Sequence, residues 1–135
     1  MADVTDVRKA VLAKLLADIT LTALLGTGTR IFHVSARRGE TLPALVYQDT
    51  GTRPDDTVPI HERTFRFSAF HSTADAADTI LDRVRFLLHD KPLTITGPGW
   101  RFMGCRALAD EGEPIEDGDV LSRSATLRLI LYEVA

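Results

Sequence analysis

The sequence has one cysteine, few aromatic residues, no long apolar run and no excess of positive charge. A lone Cys105 forms no intrachain disulfide and supplies no four-cysteine metal site. No stretch approaches the roughly 18 to 20 apolar residues that cross a bilayer, so no membrane partner is expected. The acidic start, Met1 to Asp6, has no basic n-region, so no signal peptide is expected and a soluble protein of a reducing compartment is. The formal net charge is −3 and the sequence pI about 5.8. Nucleic-acid readers carry a basic excess or stripe, and here no basic run is longer than the pairs Arg8-Lys9 and Arg37-Arg38, so duplex binding is not the expected activity.

What remains is ordinary globular material. Of 135 residues, 44% are hydrophobic and 26% charged, at the length of one domain, expected over 1–135. Val7, Val11, Leu15 and Ile19 recur every four residues and predict a helix, capped by Thr5 or Asp3. Asp18 is placed to cap a short second helical turn with Leu21, Leu24 and Leu25, closed by Gly26. Ile31 to Val34 and Leu42 to Gln48 read as strands, and Asp49 to Pro59 as a mobile loop. From Thr64 to Phe70, Phe65, Phe67 and Ala69 alternate with polar residues, the mark of a half-buried strand.

Ser72-Thr73-Ala74-Asp75 reads as a capping box for a helix running to about His89 and burying Ala77, Ile80, Leu81, Val84, Leu87 and Leu88. Leu93 to Thr96 and Trp100 to Leu108 read as a hairpin across Gly97-Pro98-Gly99. The last run, Leu121 to Tyr132, is the longest alternation in the chain. Two amphipathic helices with one apolar stripe each, beside a sheet needing one face covered, predict an α+β fold: a mainly antiparallel sheet, both helices on one face, and a long C-terminal strand. Extended from Val120 to Val134, that strand would span roughly 50 Å, against a domain diameter of about 35 to 40 Å. It must bend, carry a bulge or project with a partner strand.

Signatures of catalysis are missing: no GxSxG, Walker A loop, HExxH or CxxC. The histidines His33, His61, His71 and His89 fall at element ends without ligand spacing. Cys105 alternates with Met103 and Ala107 and reads as a sheet thiol; a nucleophile would need a polarising base. No cofactor is expected. The segment Asp110 to Asp119 holds six carboxylates in ten residues. It is open to three readings: a solvated turn, a calcium loop lacking the usual order, or an electrostatic surface. Trp100, behind the glycine turn, is either a core or an interface anchor. The residues alone give a soluble α+β interaction module, not an enzyme.

The order of these pieces resembles a known family. Val11-Leu12-Ala13-Lys14-Leu15-Leu16-Ala17-Asp18, Leu21-Thr22-Ala23-Leu24-Leu25-Gly26 and Arg30-Ile31-Phe32 come first. Leu42-Pro43-Ala44-Leu45-Val46-Tyr47 and Phe65-Arg66-Phe67-Ser68-Ala69-Phe70 follow, then the helix ending Val84-Arg85-Phe86-Leu87-Leu88-His89-Asp90, and Asp117-Gly118-Asp119 before the last strand. Together they resemble the tail-completion, or tail-terminator, proteins of long-tailed phages and phage-derived particles such as gene transfer agents. The match covers nearly the whole chain through degenerate pieces in order.

The resemblance implies a structural virion protein, assembled in the host cytoplasm. It implies a hexameric ring on the head-proximal end of the tail tube, touching the tail tube protein and a head-tail connector, with DNA passing its lumen without specific binding. Ring, tube and connector contacts are then expected from Ser35 to Thr41 with Arg37, Arg38 and Glu40, and from Asp49 to Pro59 with Arg53, Asp55 and Asp56. The acidic segment, with Glu111, Glu113, Glu116, Asp117 and Asp119, and Trp100 complete the expected interface. Carboxylates facing the lumen would reduce sticking of DNA. The competing readings are a head-side stopper or adaptor protein and a small ligand-binding α+β domain.

Overall fold

The computed structural model describes residues 3–26, 31–33, 43–52, 59–108, 115–117 and 120–134; for 52, 115–117, 120 and 121 the backbone alone is described. The element order is α1 (Val4–Leu16), α2 (Ile19–Leu25), β1 (Ile31–His33), β2 (Ala44–Thr52), β3 (Ile60–His71), α3 (Ala74–Leu88), β4 (Trp100–Ala107), β5 (Ile115–Asp117) and β6 (Val120–Glu133). The sheet runs β1-β2-β3-β6-β4, with β5 also on β6; β1 and β2 are parallel and every other pair antiparallel. This is the expected α+β fold.

Local chemistry sets the helix starts. Asp3 caps α1, its Oδ1 accepting the Thr5 N–H at 2.9 Å. Asp18 accepts the Leu21 N–H at 2.8 Å and so caps α2. Its carboxylate also takes both Nε and Nη2 of Arg83 on α3, at 2.8 and 2.7 Å. That fork fastens α2 to α3, and the Arg83 bonds hold the Asp18 carboxyl below its usual range against the opposing cost of burial. Gly26 ends α2 at a φ of 89°, where a side chain would be strained. The cap of α3 is Thr73, whose Oγ1 accepts from the Ala76 N–H, one residue later than the capping box at Ser72 predicts.

One apolar layer lies between helices and sheet. Val7, Val11 and Leu15 of α1, Leu21 and Leu25 of α2, and Ala77, Ile80, Leu81, Val84 and Leu88 of α3 are buried. They meet Leu45, Tyr47, Phe65, Phe67, Ala69, Ala125, Leu127, Leu129 and Leu131. The register stacks these side chains in rows: Phe67 lies between Tyr47 and Ala125, and Phe65 between Asp49 and Leu127.

Four expectations are corrected. The four-residue recurrence drawn to Ile19 breaks after Leu16, because Asp18 caps a separate α2 and leaves Ile19 83% exposed. The segment Asp49 to Pro59, expected as a mobile loop, begins as strand, because β2 continues to Thr52, paired with Glu62. Leu93 to Thr96 forms no strand; Leu93 instead packs into the core. The sixth strand is β5, inside the segment read as an acidic loop. It exists because the long β6 has room for it: β3 occupies one edge of β6, while β4 and β5 share the other, at Leu127–Glu133 and Val120–Ser122.

This shared pairing also answers the length question. β6 is 14 residues, about 45 Å, and β3 pairs with it over twelve positions without a break. The irregularity sits in β4, where the register shifts between Phe102 and Gly104, leaving Met103 extra.

The outer edge of β4 is closed from within the chain at Cys105 and Ala107. The groups of Cys105 and Ala107 that point away from β6 are taken by the turn after α3: Asp90 N–H donates to Cys105 O at 2.8 Å, and Ala107 N–H donates to His89 Nδ1 at 2.8 Å. Asp90 reaches this position through a φ of 52°, which aspartate tolerates better than most residues. The bulge and this turn blunt the edge against strand addition, and they leave Leu93 to Thr96 no hydrogen-bonding partner there.

Candidate assembly surface

The sheet has a second face, away from the helices. Period-two alternation puts Glu62, Thr64, Arg66 and Ser68 of β3 and Ser124, Thr126, Arg128, Ile130 and Tyr132 of β6 on it. β4 adds Arg101, Gly104 and Arg106. Across its middle, Ser68 Oγ and Ser124 Oγ lie 3.1 Å apart and Arg66 Nη2 reaches Ser124 Oγ at 3.5 Å. Near β4 the charge is one-sided: Arg106 stands opposite Arg128, and Arg101 opposite Tyr132. Two carboxylates lie near this group among the described residues: Glu62, 3.9 Å from Arg128 Nε and too far for a hydrogen bond, and Asp90 at the β4 edge. A concavity of about 340 Å³ opens here, lined by Asp90, Gly104, Cys105, Arg106, Leu108, Arg128 and Ile130.

Beside it are two large apolar side chains in solvent, Met103 at 54% exposure and Tyr132 at 39%. The expectation that Met103 alternates with Cys105 on one face is corrected by the bulge: Cys105 packs inward and Met103 does not.

Several titratable groups elsewhere among the described residues are engaged in separate clusters. Asp49, its side chain fully buried, accepts from Arg8 Nε at 2.9 Å, Arg63 Nε at 2.8 Å and His33 Nε2 at 3.1 Å. Burial alone would raise its pKa, but the hydrogen bonds from Arg63 and Arg8 outweigh it and hold the carboxyl below the usual range. The cluster ties α1, β1, β2 and β3 together. His61 bonds Glu133 at 2.7 Å, His71 accepts from the Ser72 N–H, and His89 seals β4. Among the described residues no three His, Cys, Asp or Glu side chains are grouped to hold a metal ion. Cys105 is buried, and burial, with the Asp90 charge, pushes its thiol up to about 12. Almost no thiolate forms at neutral pH, so this thiol is a poor nucleophile.

Of the interface residues expected from sequence, Arg37, Arg38, Glu40, Arg53, Asp55, Asp56, Glu111, Glu113 and Asp119 lie outside the described residues. Glu116 and Asp117 lie in β5, where the backbone alone is described. Trp100 is placed. It is 9% exposed, its Nε1 donates to Asp3 O at 2.9 Å, and its ring meets the His61 ring edge-on at 5.1 Å. Of its two roles open from sequence, the core one is seen, and little of its area is left for a partner. The arginine face went unread in the sequence, although Arg128 visibly shares a strand face with Ile130 and Tyr132. What no single strand reveals is that β4 lies beside β6.

A sheet with helices on one face and exposed arginines at the β4–β6 corner of the other defines the chain as an α+β protein with a charged surface at that corner. The family model described as tail completion protein gp17 matches residues 9–131, and the chain belongs to that family of virion tail proteins. A chain of the solved virion of a native gene transfer agent particle has the same fold, with a TM-score of 0.76 at 20% identity over 94% of each chain. No curated protein matches by sequence.

Proposed function

We propose that six copies of this chain close into a ring on the head-proximal end of the tail tube. The ring ends tube polymerisation and offers the joining surface to the head connector, while DNA passes through its lumen without specific binding. The observation that carries this reading is the family match over nearly the whole chain. The fold shared with a chain of a gene transfer agent virion supports it. Heterologous side-to-side contacts generate a closed ring without cofactor or turnover, as a geometric stop requires.

Electron microscopy of particles made with and without the gene tests the proposal. Overlong, headless tubes in its absence are the expected result. Tails of normal length that fail to hold heads would move the chain to the head side of the joint, and complete normal particles would overturn the reading.

A further inference from the structure

A ring of identical chains needs two different, complementary surfaces on every copy. The described half of such a pair is the β4–β6 corner of the open face. Arg101, Arg106 and Arg128 share this face with Ile130 and Tyr132, with the exposed Met103 at the β4 bulge, and these three cations stand against two carboxylates, Glu62 and Asp90. Arginine, methionine and tyrosine are the residue types enriched where proteins meet. Two like charges directly opposite across a strand pair repel. Arg106 opposite Arg128 is therefore unfavourable in the isolated chain, in part offset by Glu62 and Asp90, and a further anion settling between them relieves it. The concavity of about 340 Å³ between these side chains gives the anion a place, and Gly104 keeps it open, with no atom within 4 Å of where a Cβ would stand.

The chain's own composition names the anion. Its net charge is −3, yet six carboxylates fall within Asp110 to Asp119, interspersed with Pro114 and Ile115. Because His89 and Asp90 seal the β4 edge at Cys105 and Ala107, a neighbour arriving on this side meets side chains and not free strand hydrogen bonds. We propose that the arginine corner of one copy docks the acidic segment, residues 110–119, of a second copy. Glu111 and Glu113 are the first candidates to meet Arg106 and Arg128. This inference rests on the ring reading and gives it one side-to-side contact.

Particles produced with variant chains provide the test. Arg106→Cys combined with Glu113→Cys, oxidised and run on a non-reducing gel, is expected to give a ladder of cross-linked dimers and higher multiples. A shifted monomer band would mean that the segment docks on its own chain, and no cross-link that it docks elsewhere; either overturns the proposal. Charge reversal supplies the second readout. Arg106→Glu with Arg128→Glu should cut the yield of finished particles about tenfold or more, as should Glu111→Lys with Glu113→Lys, and all four together should restore most of it. A folding defect would not be rescued in this way. Should the double arginine variant misfold, Arg106→Gln with Arg128→Gln carries the same yield comparison.

Normal yield from the reversed arginines, with lost binding of a labelled DNA duplex by the purified chain, would assign the corner to phosphate and overturn the proposal. Copy number per particle separates the two failures: several copies without a cross-link sinks the docking alone, while a single copy sinks the ring as well.

Discussion

The two faces of the sheet are built from the same strands, residue by residue, to opposite ends. Toward the helices, Phe65, Phe67, Leu127 and Leu129 are at most 1% exposed. One residue further along, Arg66, Thr64, Thr126 and Arg128 point the other way into a surface of hydroxyls and guanidinium groups. Even the charges differ in kind. Asp49 on the helix side is enclosed by three partners, while Arg106 and Arg128 on the open side face each other. Burial removes water, so a charge on the inner face must be matched within the chain. At the β4–β6 corner the outer face is freer of that demand, since its three arginines are exposed or half-exposed and stand against two carboxylates, Glu62 and Asp90. Stability is therefore expected to follow the inner face and assembly the outer one.

The largest separation between the faces should come from adjacent residues of β3. Phe67→Ala removes a fully buried ring between Tyr47 and Ala125 and should cost about 4 kcal/mol. Arg66→Ala, one position away on the open face, should change stability by no more than about 0.5 kcal/mol. Urea denaturation of the two variants checks this, and comparable losses would mean that the open face is also load-carrying within one chain.

Asp49→Asn should come next, at about 3 kcal/mol near neutral pH, since it leaves Arg8 and Arg63 without their carboxylate in a buried setting. The sign of its pH dependence follows from the lowered pKa. The folded carboxylate stays ionised at a lower pH than the unfolded one, so its contribution is complete above the ordinary value of 3.8. It is lost as the pH falls through the folded value. The gap in unfolding midpoint between wild type and Asp49→Asn should thus narrow on titration from pH 6 toward pH 2. A gap independent of pH would show that packing, not charge, carries the effect.

The contrast between faces also explains what could be read in the sequence. Alternation in Thr64 to Phe70 and in the last strand was legible because burial on one side imposes it, and the stripe of α3 was legible for the same reason. Asp49 was not. A carboxylate in a strand reads as a loop residue unless its cations are known, and Arg8 lies 41 positions away in sequence. β5 escaped because three residues among carboxylates carry no periodic signal of their own; β6 supplies the pairing. Leu93 to Thr96 looked like a strand since its apolar residues do pack inward, but the edge it needed is occupied by His89 and Asp90. The arginine corner depends on which strands are neighbours, a property of topology and not of any one segment. Trp100 was open to two roles because burial and binding select the same residue type.

The finest test uses two glycines, one on each face. Gly51 lies on the inner side, where a Cβ would run into the Arg63 guanidinium. Alanine there must push Arg63 from Asp49 and weaken a charged hydrogen bond, so Gly51→Ala should cost about 1 kcal/mol net of the backbone entropy it recovers. Gly104, on the outer side, has open space around the same position and no positive φ to forbid a side chain. Gly104→Ala should stabilise the isolated chain by about 0.5 kcal/mol, through the unfolded state alone. The same methyl group narrows the concavity beside Arg106 and Arg128, so a chain made slightly more stable should assemble slightly less well. Thermal unfolding and particle yield, measured together, read both signs. If Gly104→Ala raised the two in parallel, the concavity would be packing space of no consequence to a partner, and the division of labour between the faces would fail at its most sensitive point.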